Sequence, residues 1–412
     1  MRVHVNFEDS GSKCVITAYA NLTPRGNTFL DLARKRLYML AKPLSEPQLM
    51  PAGKPFHGKI EDVLFRIDGI DPRRYDKTRN YLDGAVTWLS PFITHGIINT
   101  HTVAERVLEK HPAKSCYRLL YELAWREYFH RVWQENDDVI FGDFYHPQEK
   151  VESEHVPQAI VDGSTGIHVL DDGIQTLRDT GLMHNHLRMW LAGTVCNMAH
   201  THWSTPARWL HYHLLDGDLA SNTLSWQWIA GTFSHKKYIA NQENLNKYSR
   251  SKQHDTWLDI DYDSLSTMAT PECMQSRCTE LNLTQNPLGE LVPSDVSGKI
   301  ALRSLWNLNP EWAPKLPVDS TVLFIEQSQI DAWPMAQHRW DFIEHWVKQL
   351  GIPIWRGSVE ELEALESSGV EFVREEYPAC AHWPGQVMER IFHFGVPDND
   401  YRSFSQFWKQ VK

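Results

Sequence analysis

The chain has 412 residues, enough for two or three domains, and its 42% apolar content with 17 Trp is that of a folded, aromatic-rich protein. It holds no apolar run of about 18 residues, which excludes an ordinary membrane-spanning helix. A net charge of −11 argues against a body that grips nucleic acid over its whole surface, but leaves room for a local basic patch.

The opening segment, MRVHVNFEDSGSK, lacks the apolar core of a signal peptide. Six Cys are scattered at 14, 116, 196, 273, 278 and 380 with no CxxC pair. Reduced thiols and a cytoplasmic location are therefore expected, with no metal site. Residues 1–60 read as an N-terminal extension. They contain one strand-like run, CVITAY, and a helix predicted over Thr28–Ala41 with Leu30, Ala33, Leu37 and Leu40 on its apolar face. Residues 42–60 read as a Pro/Gly-rich loop.

A helical domain is predicted over 61–255. Ser90-Pro91 reads as a helix start, with Ser as N-cap and Pro at the first helical position. Its open N–H groups suit an anion, although a plain capped helix explains the pair as well. A long helix is predicted over Ser115–Trp133. Glu122, Trp125 and Arg126 lie at i, i+3 and i+4 and share a face; by themselves they also read as a surface Glu–Arg pair. Residues 137–164 read as a loop.

The passage Thr165–Thr232 is unusual. Asn185, Arg188 and Met189 share one helical face, and Asp218, Asn222 and Trp226 repeat every four residues along another. A stripe of Asp, Asn and Trp makes a poor core and a poor solvent face. It suits a planar aromatic ligand with a polar edge. Arg188 offers a cation to Asp216 or Asp218, which would keep a buried carboxylate ionised. His200 and His202 have no carboxylate at ligand spacing and are read as wall positions. Lys236, Lys237, Lys247, Arg250 and Lys252 form a basic cluster at 236–252, whose usual reading is a solvated face.

Residues 256–317 read as a linker. From 318 to 412 the period changes: strand TVLFIE, a helix over Gln337–Leu350 stopped by Gly351, strand IPIWR, helix SVEELEALESS and strand VEFVREE. This alternation predicts a parallel α/β module. No Gly-rich phosphate-binding pattern accompanies it.

Four segments, in order, carry a resemblance. YDKTRNYLDGAVTWLSPFITHGII (75–98), YELAWREYF (121–129), LRDTGLMHNHLRM and LLDGDLASNTLSWQW resemble the flavin-binding helical domain of the photolyase/cryptochrome family. RWDFIEHWVKQLGIPIWRGSVEELEAL distantly resembles part of that family's antenna domain. The expected fold is mainly α, an all-helical FAD-binding domain followed by a C-terminal, partly antenna-like α/β module. A leading antenna domain is not expected ahead of Tyr75.

The resemblance implies FAD as cofactor. It implies Tyr75, Thr87, Leu89, Ser90, Arg126, Asn185, Arg188, Asp216, Asp218 and Asn222 as cofactor-binding residues, with Asn222 facing the flavin N5. It implies that Glu122, Trp125, Asn185 and Met189 receive a pyrimidine pair flipped from the duplex. Trp226 and then Trp203 would relay electrons, with Tyr145, Phe144 or Trp209 as substitutes for a missing outer Trp. Glu122, Asn222, Trp203 and Trp226 are thus the expected catalytic set. The implied activity is of deoxyribodipyrimidine photo-lyase type: FAD-dependent, light-driven repair of pyrimidine dimers in single- or double-stranded DNA. The alternatives are a cryptochrome-like blue-light photoreceptor signalling through a protein partner and a helical protein without cofactor. No membrane partner is implied. The sequence departs from the family pattern at Val86 (for Thr), Leu119 (for Trp) and His186 (for Arg). His186 is expected to add positive charge for DNA as pH falls through about 6.5.

Overall fold

A computed structural model describes residues 2–9, 12–19, 58–234, 236–289, 296–397 and 401–412. The helix expected at Thr28–Ala41 lies outside the described residues, as does most of the loop after it. The chain divides into two compact units, 1–49 and 50–412. In the first, β1 (Arg2–Asp9) pairs antiparallel with β2 (Ser12–Tyr19). β2 contains the predicted CVITAY strand.

The second unit opens with helices α1 (Ile60–Asp68), α2 (Pro72–Thr78), α3 (Ser90–Thr94), α4 (Thr100–Lys110) and α5 (Ala113–Asn136). It continues with α6 (Gln158–Asp162), α7 (His168–Thr180), α8 (Asn185–Gly193), α9 (Ser204–His213), α10 (Leu219–Ala230), α11 (Gln242–Ser249) and α12 (Tyr262–Thr267). α5 contains the predicted Ser115–Trp133 helix. It is buried along much of its length, from Cys116 to Trp133, as suits a helix enclosed by neighbours. The stretch 137–164 is not all loop: it holds a 3₁₀ turn, Asp137–Phe141, and α6. At α3 the N-cap is Leu89, without a side-chain cap bond, and Ser90 is the first helical residue. The predicted helix start is therefore shifted by one position, and the Ser90 hydroxyl does not close the helix end. α10 is capped by Asp218, whose carboxylate accepts from the Ser221 N–H, and stops at Gly231 with φ +89°.

The α/β part is a five-stranded sheet of order β5-β4-β3-β6-β7, parallel throughout. Its strands are β3 (Lys299–Arg303), β4 (Ser320–Glu326), β5 (Ile354–Gly357), β6 (Glu371–Glu375) and β7 (Gln386–Met388). Helices α13 (Gln327–Ala332), α14 (Gln337–Leu350) and α15 (Val359–Ser367) connect them, and α16 (Phe404–Val411) ends the chain. The central strand, β3, falls in the stretch expected to be a linker. One apolar core runs from α1–α5 into this sheet, joining Leu123 and Tyr128 with Phe324, Trp340 and Phe407. A second core lies among α6–α12.

Candidate functional site

A cavity of about 520 Å³ opens between α2–α3, α5, α8 and α10. Its size is in the range that takes a cofactor. Tyr75, Thr87, Ser90, Glu122, Trp125, Arg126, Asn185, Arg188, Met189, Asp216, Asp218, Asn222 and Trp226 all border it. Two expected residues do not. Leu89 is packed in the core at 1% exposure, and Trp203 lies in the second core, where its indole N–H donates to Asp143 Oδ1 at 2.7 Å. Both stand at helix N-caps, where their large apolar side chains pack into the core.

The polar network is built on two carboxylates either side of Gly217. Arg188 Nη2 donates to both oxygens of Asp216 at 2.9 Å. Asp218 is 2% exposed and accepts from Arg126 Nη2 at 3.0 Å, stands 2.8 Å from His130 Nε2, and accepts from the Ser221 N–H at 2.7 Å and the Tyr377 hydroxyl at 3.4 Å. Burial alone would raise the Asp218 pKa. The charges of Arg126 and His130 and their hydrogen bonds outweigh it and hold the carboxyl well below its usual range. Its oxygens are thus occupied by protein partners, so Asp218 fixes Arg126 and the start of α10. Arg339 of α14 supports the turn from below, donating to the Gly217 carbonyl at 2.6 Å. His130, Tyr377 and Arg339 were not found from the sequence, since 88, 159 and 122 positions separate them from their partners.

Asn222 donates through Nδ2 to the Ala207 carbonyl at 2.9 Å. This fixes the amide, so what it offers the cavity is its acceptor oxygen. Glu122 accepts from Arg79 Nε at 3.3 Å, and burial raises its pKa against the pull of Arg79 and Arg118. Asn185 Nδ2 lies 3.9 Å from Met189 Sδ, at the exposed edge. Burial, with Arg79 second, pushes His186 down to about 4. The expectation that His186 becomes charged near pH 6.5 is therefore corrected: the ring stays neutral until the medium is strongly acid. The basic cluster is exposed, with Arg250 paired to Asp83 at 2.9 Å and Lys237 to Glu149 at 3.2 Å. Beside it, His186, Tyr248 and Tyr81 form a chain of rings with centroids 4.8 and 5.2 Å apart.

Trp125 is not free on both faces. Phe404 of α16 stacks on it with centroids 3.8 Å apart and planes 11° from parallel. Of the relay substitutes, Tyr145 stacks on Phe233 with centroids 5.4 Å apart, Phe144 touches both rings, and Trp209 is buried beside His213. Asp143, the partner of Trp203, immediately precedes Phe144 and Tyr145.

The wall fits a flavin dinucleotide on its own chemistry. Its polar edge is the Arg188–Asp216 pair and the Asn222 amide, and Trp88, Trp125 and Trp226 supply aromatic surface beside it.

Residues 119–259 match the FAD binding domain of DNA photolyase. The deoxyribodipyrimidine photo-lyase of Streptomyces griseus is 31% identical over 150 residues, 36% of this chain and 32% of that protein. That of Halobacterium salinarum is 32% identical over 179 residues, 41% of this chain and 37% of that protein. Cryptochrome DASH of Danio rerio is 29% identical over 205 residues, 46% of this chain and 36% of that protein. The chain spans about a third of the length of these relatives. Cavity and match together define a flavin-binding protein whose cofactor is FAD. Through residues 119–259 the chain is similar to the flavin-binding domain of photolyases and cryptochromes.

Proposed function

We propose that the chain repairs pyrimidine dimers in DNA, driven by light, with FAD in the α2–α10 cavity. One observation carries the reading. Glu122, Trp125, Asn185 and Met189 border the same cavity as the Arg188–Asp216 pair and the fixed Asn222 amide. A flipped pyrimidine pair and a flavin would then be neighbours without a wall between them. Bound FAD supplies the light-absorbing electron donor. The protein's part is to bind, orient and exclude water. Arg188 and Asp216 hold one polar edge, Asn222 offers an acceptor to another, and Tyr75, Thr87 and Ser90 border the α2–α3 side. Glu122, made easier to protonate by burial, can donate or accept a hydrogen bond at the lesion. Lys247, Arg250, Tyr81 and Tyr248 give the strand a basic and aromatic flank beside His186.

A second reading rests on Phe404. Where α16 stays on Trp125, a base cannot stack on that face, and the family's other role, blue-light signalling through a protein partner, is favoured. The test is loss of dimers from ultraviolet-irradiated oligonucleotide, single- and double-stranded, under blue light with the flavin reduced. Loss that needs light supports repair. No loss in either substrate, from protein whose flavin responds normally to light, overturns repair in favour of signalling.

A further inference from the structure

We infer that His101, Glu105 and His393 bind a divalent transition-metal ion, zinc by their geometry. His101 and Glu105 stand four residues apart on α4, on one face of the helix. His393 comes to them from the segment between β7 and α16. One ligand atom from each lies within 4.8 Å of the others, with no ion present. The two Nδ1 atoms are 3.4 Å apart, and His393 Nδ1 is 3.8 Å from Glu105 Oε1. Zinc–nitrogen bonds of about 2.0–2.1 Å place two ligands of a tetrahedral ion about 3.3 Å apart, close to the spacing of the two rings. An octahedral ion would draw neighbouring ligands closer than this. Two imidazoles and one carboxylate form a donor set that zinc favours, with a fourth position left to water.

The site is also held from behind. Buried Glu127 accepts from the backbone N–H of His393 at 2.7 Å and of Phe394 at 3.0 Å, and also from the Thr100 hydroxyl next to His101. This fixes both His-bearing segments relative to each other before any ion arrives, as supporting shells of metal sites do. No ligand spacing in the sequence flags the trio, because His101 and His393 stand 292 positions apart. The ion would tie the segment that carries His393 onto α4, a structural role independent of flavin.

The test uses the full chain, stripped with chelator and then titrated with Zn²⁺, or with Co²⁺ for its visible absorption. Metal retained after gel filtration is counted by mass spectrometry. About one equivalent is expected in the wild type, with Co²⁺ showing a tetrahedral spectrum. Glu105→Gln, at an exposed position, and His101→Ala should each weaken binding at least tenfold while circular dichroism is unchanged. Zn²⁺ should raise the melting point of the wild type and not of Glu105→Gln. Retention of one equivalent with equal affinity in Glu105→Gln and in any folded His101→Ala protein overturns the site. So does a wild type that retains none, which would leave two imidazoles sharing a proton.

Discussion

Asp216 and Asp218 are two positions apart, yet their substitutions should fail in different ways. Asp218 is buried against Arg126 and His130. Asp218→Ala leaves Arg126 without its carboxylate in a dry site and removes the α10 cap, so a loss of about 3–5 kcal/mol is expected in a denaturant titration. The Arg188 side chain is 24% exposed, so water can take over from Asp216. Asp216→Ala should therefore keep its fold while flavin affinity drops at least tenfold, read as flavin per protein after dialysis. Full flavin retention would remove Asp216 from the binding set. Trp226 is 3% exposed and borders the cavity. Trp226→Phe keeps an aromatic ring but not the readily oxidised indole, and photoreduction with an external donor should slow at least tenfold; an unchanged rate would assign the relay to other residues. Much of this site was legible because four-residue spacing along α10 sets Asp218, Asn222 and Trp226 on one stripe. Its supports were not, because Tyr377 and Arg339 arrive from the α/β part and carry no local pattern.

The same limit operates between elements. β4, α14, β5, α15 and β6 were legible from changing period and from Gly351, whose φ of +63° stops α14. β3 was not. KIALR is short, and its place is set by parallel pairing to β4 on one side and β6 on the other, partners that lie later in the chain. α16 shows a missed signal of another kind. Phe404, Phe407, Trp408 and Val411 recur at i, i+3, i+4 and i+7, an apolar face readable from sequence. Its packing partners, Tyr117, Tyr121, Trp125 and Tyr128 of α5, could not be read that way. The pairing has a measurable consequence. Base–aromatic stacking is worth ~1–3 kcal/mol, so freeing Trp125 should tighten binding of lesion-bearing single strands by roughly ten- to a hundredfold. Truncation before Ser403 makes that change, and adding Trp125→Ala should reverse it. If the truncated chain folds and binds lesions no better, α16 does not compete for that face.

At the scale of the whole molecule, buried neutral histidines join helices to sheet. His95 Nδ1 lies 3.0 Å from the Leu305 carbonyl just beyond β3, and its Nε2 lies 3.3 Å from Arg339 Nε, which donates to it. A proton on Nε2 would set two cations face to face. Burial first, then Arg339, pushes His95 down to about 3 and His211 well below its usual range. Burial likewise pushes His184 and His213 down to about 4. Each of these pKa values is depressed in the fold and near 6.5 in the unfolded chain. The unfolded state therefore takes up protons first, and the stability these groups contribute is present above pH 6.5 and lost as pH falls toward 4. Each can withdraw up to about 2 kcal/mol between pH 6.5 and 5. Three carboxyls act the other way. Burial raises Glu122 and Glu127, and raises Glu375 to about 7, so all three contribute stability in acid that is lost as pH rises. With His186 also held down to about 4, the depressed histidines outnumber these carboxyls, and the balance favours loss in acid. The melting midpoint should fall by several degrees from pH 7 to pH 5, well above the range where Asp218 loses its charge. Arg339→Met removes the neighbouring cation from His95 and His211 and should make the pH dependence shallower. A midpoint that stays level from pH 7 to 5 would mean that these rings take up protons within the fold.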